Sequence, residues 1–402
     1  MVRRVFVLAH RYVGLGLAVF LILEGLTGSI LAYRQPLERA INPQFFADPP
    51  SPGARPLGLG ELAVRAERIA PEAKVDYLYI RSNQVFVRVE PRDAGAHGDA
   101  AAIGFDQLFL DPWTGKELGR RLFGDLRQGR SNWLSFVDDL HTSLRFGQNG
   151  ATVLGIVAIL WTLDCFTALY LTLPRTSAGF LRRWAQAWRV KWSAGSFRLS
   201  FDLHRAGGLW PWPLLGIFAF SSFMLAMPER YNALVAALLP TSRDLVVDET
   251  KFPVRPRRIG WLEAQAIGER LLTRELARRG IDRLAPADEM AYIEDFGAYT
   301  YSARTKLDVR GDQGDSGVFF DANTGAFREF AAPTGHDVGA SLGAWLYALH
   351  FADYRSNPVY RAGVGVLGIV IAMLSVTGIV IWLGKRRARK RSRKAAAAAS
   401  PP

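Results

Sequence analysis

The chain alternates between long apolar runs and long polar ones. Four stretches, roughly 13–32, 151–173, 209–227 and 362–383, are predominantly apolar, and each reaches about the 18 residues a helix needs to cross the hydrocarbon of a bilayer. Trp, Tyr, Pro or basic residues close each run, as interfacial anchors do. About 110 residues separate the first two runs and about 130 the last two. Within these polar segments the periodicity changes. Leu57 to Ile69 reads as a helix, Lys74 to Ile80 and Gln84 to Val89 alternate as strands, and Gln107 to Asp111 leads into a Pro-Trp-Thr-Gly turn. The second segment follows the same order: a helix from Ile259 to Arg278, strands at Met290 to Ile293 and Tyr299 to Leu307, then Gly317 to Asp321 entering Ala-Asn-Thr-Gly.

The parallel extends to spacing. Phe109-Leu110-Asp111-Pro-Trp-Thr114-Gly115 matches Phe319-Phe320-Asp321-Ala-Asn-Thr324-Gly325, and His141 and His350 follow the two aspartates by 30 and 29 residues. His10-Arg11-x-x-Gly14 and His204-Arg205-x-x-Gly208 each open an apolar run. Thr27-Gly28, 17 positions after His10, is echoed by Ser221-Ser222 after His204, and Thr167-Ala168 and Thr377-Gly378 come 26 and 27 positions after His141 and His350. A unit of about 200 residues thus occurs twice, as in many membrane bundles. The expected fold is four transmembrane α-helices in two tandem helix-domain-helix repeats carrying two α+β domains. The expected boundaries are a first span within 1–33, an outer domain over 34–131, an interfacial helix and second span over 132–173, a connection over 174–203, a third span over 204–228, a second outer domain over 229–336, an interfacial helix and fourth span over 337–384, and a basic tail over 385–402.

Composition agrees: 49% of the 402 residues are hydrophobic, with 24 Phe and 11 Trp. The net charge of +13 is concentrated beside the spans, in Arg3 and Arg4, in the connection that holds Arg175, Arg182, Arg183, Arg189, Lys191 and Arg198, and from Lys385 to Lys394. By the positive-inside rule both termini and the connection face the cytoplasm, so the two polar domains share the outer compartment. The basic tail then suits anionic lipid, and nucleic acid is not expected as a partner. Trp184, Trp188 and Trp192, four residues apart, suggest an interfacial helix. The first run lacks a clear cleavage site and reads as a retained span. Cys165 is the single cysteine, which excludes an intramolecular disulfide, a cysteine-held iron-sulfur cluster and covalent C-x-x-C-H haem attachment.

Four histidines stand at span mouths. Orientation sorts them into an inner pair, His10 and His204, and an outer pair, His141 and His350. Zinc would need three or four ligands in a compact set, and H-E-x-x-H is absent. A proton relay would rest on Glu24 and Asp164 inside spans. Bis-histidine ligation of haem fits best, with one imidazole from each of two helices holding a metal that passes electrons. Gly14, Gly16, Gly207 and Gly208 would admit a flat ring, Arg11 and Arg205 would meet its propionates, and Trp133, Phe136 and Trp345 would cover a second ring. A histidine near a span end can also be simply interfacial; matched placement in a repeat argues for more. His97 and His336 read as surface residues. Gly363-x-Gly365-x-x-Gly368 matches a dinucleotide fingerprint but follows no strand, so its glycines are expected in helix packing. Tyr79, Arg88, Tyr292 and Arg304 are possible acceptor contacts on strands.

On His10-Arg11-Tyr12-Val13-Gly14, Trp133-Leu134 through Asp139-Leu140-His141, Asp202-Leu203-His204-Arg205-Ala206-Gly207-Gly208-Leu209-Trp210, the two Asp-x-x-Thr-Gly turns and Thr377-Gly378, the chain resembles the PepSY-associated transmembrane family. These are iron-regulated inner-membrane proteins that include ferric-siderophore reductases of the FoxB type. The resemblance implies two periplasmic PepSY-like domains, two b-type haems, and reduction of ferric iron in a periplasmic siderophore. It carries the ligand role onto His10, His141, His204 and His350. The electron donor is then a cytoplasmic protein or reductant, or a quinol, since the connection is too short for a flavin or nicotinamide domain. Thr167-Ala168 and Ser221-Ser222-Phe223 depart from the family pattern. Two other readings remain at this point, a siderophore or metal permease and a membrane-anchored peptide- or partner-binding protein.

Overall fold

A computed structural model describes residues 1–92, 103–239, 257–311, 313–335 and 337–399. In chain order the helices and strands are α1 (Val2–Leu31), α2 (Arg34–Ile41), α3 (Leu59–Ile69), β1 (Ala73–Arg81), β2 (Gln84–Pro91), β3 (Gln107–Leu110), β4 (Glu117–Arg121), α4 (Trp133–Ser143), α5 (Gly147–Thr172), α6 (Phe180–Trp184), α7 (Ser196–Leu209), α8 (Trp212–Ala226), α9 (Pro228–Leu238), α10 (Trp261–Arg279), β5 (Arg283–Ile293), β6 (Ala298–Thr305), β7 (Ser316–Asp321), β8 (Phe327–Ala331), α11 (Val338–His350) and α12 (Pro358–Ala399). They form two compact units, one of residues 1–33, 140–232 and 358–402, the other of residues 34–139 and 233–357.

The first unit is the membrane unit of a multi-span protein. Helices α1, α5 and α12 are each long and apolar enough to cross a bilayer, and α7 with α8 passes the same test only as a pair bent by 70°. The third apolar stretch is therefore bent, where a single span over 204–228 was expected. Pro211 and Pro213 explain the break. Neither has an N–H, so the carbonyls of Gly207 and Leu209 lose their helical donors, and each proline ring crowds the preceding turn. Packing of α1 on α12 depends on small residues. An ideal Cβ at Gly25 would lie 2.5 Å from the Gly368 carbonyl oxygen, and the Ser29 hydroxyl donates to the Gly365 carbonyl at 2.8 Å. Two of the three fingerprint-like glycines thus serve helix packing, Gly368 against Gly25 and Gly365 against the Tyr33 ring. Gly363 has no atom within 4 Å of its ideal Cβ. Between α5, α8 and α12 lies a core of Cys165, Leu215, Ala219, Leu367 and Ile371, flanked by Leu21 and Trp161. The Trp-rich connection is less regular than expected. After α6 and a 3-10 turn over Ala185–Trp188 the backbone extends at Arg189, and Trp192 lies beyond, largely exposed.

In the second unit the two polar segments build one antiparallel sheet of order β4-β3-β2-β1-β5-β6-β7-β8, where two separate domains were expected. Each segment contributes four strands with its first strand at an edge. The two edges pair, Tyr77 with Ala291, Leu78 with Met290 and Tyr79 with Glu289, so neither is left as an open template for aggregation. One face of the sheet carries Leu78, Val85, Val87, Leu108 and Leu110 with Met290, Tyr299, Tyr301, Val318 and Phe320, all packed with α3 and α10 in a single core. The Glu67 carboxylate ties the two helices across the seam, accepting from Arg257 at 2.7 Å and from the Trp261 indole at 3.1 Å. The repeated turns match atom for atom. Asp111 Oδ1 accepts from the amides of Trp113 and Thr114 at 2.8 and 3.2 Å, and Asp321 Oδ1 from Asn323 and Thr324, both at 2.9 Å. Gly115 and Gly325 take φ of +67° and +70°, which Gly adopts without a Cβ penalty. Strands β4 and β8 follow these turns. Their sequences show little alternation.

At the hairpin joining β6 to β7 the sheet unit buries several acids. Burial pushes the Asp288 carboxyl from 3.8 up to about 7 and that of Asp315 from 3.8 up to about 6; Glu289 and Asp308 add to these shifts, while Arg81 and Arg310 oppose them. A raised folded-state value stabilises the fold only while the group stays protonated there, so this contribution is complete below the unfolded value of 3.8 and is lost as pH rises to about 7. Asp288→Asn should flatten that fall and raise the melting temperature at about pH 8, as thermal unfolding across pH would show. In the membrane unit, Gly25→Val should drive α1 from α12 at a cost of about 1–3 kcal/mol, measured as lost thermal stability in detergent.

Candidate functional site

His10, on the third turn of α1, and His204, on α7, are brought together in the membrane unit with ring centroids 6.0 Å apart and planes tilted by 52°. Each ring has its Nδ1 engaged. His10 Nδ1 lies 2.9 Å from both carboxylate oxygens of Asp164 on α5. His204 Nδ1 lies 2.9 Å from the Leu374 carbonyl and 3.2 Å from the Thr377 hydroxyl on α12. A carbonyl or carboxylate only accepts, so the imidazole proton belongs on Nδ1 and the lone pair on Nε2.

His141, on α4, repeats the arrangement at another level. Its Nδ1 lies 2.8 Å from the Thr27 hydroxyl and 3.0 Å from Glu24 Oε2. Thr27 gives its own proton to the Leu23 carbonyl at 2.7 Å, and Thr377 likewise to Met373 at 2.7 Å, so both hydroxyl oxygens are free to accept from a histidine. The glycines of the two Thr-Gly pairs make room for the rings. Ideal Cβ atoms at Gly28 and Gly378 would stand 3.2 Å from Cε1 of His141 and His204 respectively. His10 and Thr27 are 17 residues apart on α1, which at a rise of 1.5 Å per residue separates the two levels by about 25 Å.

In the sheet unit His350 is the last residue of α11, its ring 6.0 Å from that of Phe351. The helices that carry His141 and His350 are both left through left-handed residues, Leu144 and Arg145 after α4 (φ 52° and 63°) and Ala352 after α11 (φ 54°). Trp345 lies 5.5 Å from Tyr354, and Trp133 and Trp345 are both partly exposed. His97 and His336 lie outside the described residues.

The two arginines expected at the inner mouth differ. Arg205 is committed to the protein: it donates to the carbonyls of Gln186, Ala187 and Arg189 and pairs with Asp202 at 2.9 Å. That ties the connection to α7 through Nε and Nη2. Arg11 is half-buried and makes no hydrogen bond or ion pair among the described residues. Gly14, one turn beyond His10, has nothing within 4 Å of its ideal Cβ, whereas at Gly207 the Met373 methyl stands at 2.9 Å. Of the suggested acceptor contacts, Tyr292 is buried in the core of the sheet unit and Arg304 donates to the Gly311 carbonyl. Arg88 pairs with Asp76 at 2.6 Å, and Tyr79 stacks on Phe86 at 4.9 Å.

Among the described residues no three His, Cys, Asp or Glu side chains converge as a metal held by protein alone would require. Two imidazoles are a different donor set, suited to a metal whose remaining ligands come from a macrocycle. With metal–nitrogen bonds of about 2 Å, coaxial imidazoles would have centroids roughly 6 Å apart, the spacing found here. Glu24 and Asp164, the acids on which a proton relay would rest, are each the partner of a histidine. Thr167 does not take the part Thr377 has; its hydroxyl donates to the Leu163 carbonyl at 3.2 Å, and Asp164 one turn earlier holds His10 instead.

Residues 7–385 match the PepSY-associated TM region, and the chain belongs to that family of membrane proteins. It is 26% identical over 273 residues to an uncharacterized protein of Pseudomonas aeruginosa, a match covering 63% of this chain and 64% of the relative. The chain therefore spans a little under two thirds of the curated relative it matches.

Nitrogen-15 NMR of histidine-labelled protein should show His10, His141 and His204 protonated at Nδ1. Gly378→Val should crowd the His204 ring, shift its resonances and leave those of His141 in place.

Proposed function

We propose that the protein is a two-haem reductase of the bacterial inner membrane, with both termini in the cytoplasm. In this reading it passes electrons from a cytoplasmic or quinol donor to a ferric siderophore in the periplasm. The observation that carries the reading is the inner histidine pair: two imidazoles on different helices at metal-bridging separation, each with Nδ1 hydrogen-bonded. Metal-ligating histidines characteristically engage their second nitrogen in this way.

His10 and His204 would hold one haem b. His141 and His350, equivalent to each other in the repeat, would hold the second, with Arg11 as the cation for a propionate. Haem b held there would supply one-electron transfer. The residues themselves fix ring orientation. Asp164, Thr27, Thr377 and the Leu374 carbonyl orient the rings, and Gly28 and Gly378 admit them. Iron in the siderophore is the substrate. One electron converts Fe(III) to Fe(II), a poorer match for hard oxygen ligands, and the metal is released. Phospholipid is the surrounding partner, and the basic tail suits anionic headgroups.

The test is the visible spectrum of detergent-purified protein from haem-replete cells, oxidised and then reduced with dithionite. Sharp low-spin bands are expected, with about half the haem lost in His204→Ala and about half in His350→Ala. A protein without a Soret band would sink the reading in favour of a permease or a partner-binding module. A ferric-siderophore reduction assay on the haem-loaded protein then tests the acceptor.

A further inference from the structure

We propose that the connection over residues 174–203 is the docking surface for the electron donor, and that this donor is an acidic, soluble one-electron carrier protein rather than a quinol. This rests on the reading and the orientation given above, and of the two proposed haem sites it uses only the inner one. From Pro174 to Phe201 the chain carries six basic residues and no acid. The first acid reached is Asp202, which is 1% exposed and spent on Arg198 and Arg205 at 3.0 and 2.9 Å. Arg183 is likewise used inside the protein, donating to the Thr176 hydroxyl. Four cations are left over. Arg175, Arg182, Arg189 and Lys191 are exposed, and their side chains make no hydrogen bond or ion pair among the described residues. Leu181 and Trp192 stand exposed among them, and arginine beside an exposed aromatic is a composition typical of protein interfaces.

What separates this segment from a lipid anchor is its fastening. Arg205 donates to the carbonyls of Gln186, Ala187 and Arg189 at 3.0, 3.1 and 3.2 Å. The Trp210 indole donates to the Trp188 carbonyl at 3.0 Å, the Trp184 indole to the Thr172 hydroxyl at 3.2 Å, and the Lys191 amide to Asp202 at 3.4 Å. Lipid headgroups are mobile and gather round basic side chains wherever these fall, as at the tail. A protein partner presents charges at set positions, and a surface already fixed costs less to bind. The fastening also sets the place. Arg205 follows His204 in the chain, so positions 189 and 191 are tied to the turn that holds one imidazole of the inner pair. A quinol is neutral and stays in the hydrocarbon, so it gains nothing from this charge. An acidic carrier is steered by it to the inner site. There the carrier's metal centre loses one electron and the ferric iron of the site gains it, with no proton or atom transferred.

The test uses the full-length protein in nanodiscs of zwitterionic phosphatidylcholine, which removes anionic lipid. The probe is a reduced plant-type [2Fe–2S] ferredoxin, an acidic one-electron carrier, with the methyl viologen radical cation as the comparison, and haem reduction is followed by stopped-flow absorbance. Reduction by ferredoxin should slow about tenfold between low salt and about 0.3 M NaCl, and reduction by viologen should not slow. At low salt Arg182→Glu with Lys191→Glu should slow ferredoxin about tenfold and leave viologen unslowed. The same two reversals in the tail, Arg389→Glu with Lys390→Glu, should slow ferredoxin far less. Binding of ferredoxin to immobilised nanodiscs, which needs no bound haem, should weaken in the same order. Four results overturn the inference: a rate indifferent to salt, tail reversals as harmful as those in the connection, reduction by a soluble quinol analogue with none by ferredoxin, or connection reversals that weaken only attachment to phosphatidylserine vesicles. Protein that binds no haem overturns the two-haem reading, whereas ferredoxin binding that ignores the charges of the connection overturns this inference alone.

Discussion

An imidazole inside a helical bundle has two nitrogens of opposite character, and the apolar surroundings offer neither of them water. The membrane unit meets this constraint by giving each of His10, His141 and His204 a partner for Nδ1 on a neighbouring helix. Much of the local arrangement follows from those bonds. They set which faces of α1, α5, α7 and α12 adjoin, they require glycine beside two of the rings, and they bring Asp164 and Glu24 into spans that otherwise carry few charges. Polar groups in hydrocarbon must be satisfied within the protein, so each buried bond also serves as a register mark between helices.

The sheet unit solves a related problem with backbone groups. Four strands from either segment alone would leave the first strand with an unpaired edge and α3 or α10 with only half of a core. Pairing β1 with β5 removes both edges, and Glu67 with Arg257 and Trp261 fastens the helices over the join. The pH response of Asp288 and Asp315 belongs to this unit, where burial and neighbouring acids hold protons well above the usual carboxylate range.

Much of this was legible in the sequence. The spans were read from run length, and the repeat was read from the turns at Asp111 and Asp321, whose hydrogen bonds agree position by position. Because His10 and His204 are equivalent in that repeat, their meeting could be anticipated. What escaped the reading depends on which surfaces touch. The seam joins residues 77–79 to 289–291, more than 200 positions apart, and no local pattern marks it. The break at Pro211 had a local signal in two prolines, but the apolar content on either side masked it. The parts of Asp164 and Glu24 depend on which helix each faces, and the bonds of Arg205 to the carbonyls of the connection depend on where that connection folds back.

The seam has a counterpart in the membrane unit. In β1 and β5 equivalent strands pair antiparallel, and in the membrane unit equivalent histidines face each other. Both are the contacts two identical copies make across a two-fold axis. Within each unit the two halves of the chain thus meet as two copies in an isologous pair do. A single polypeptide lets the two halves differ, with carboxylates at positions 24 and 164 and Phe218 and Leu374 at the matching places, whereas in a true homodimer every substitution appears twice.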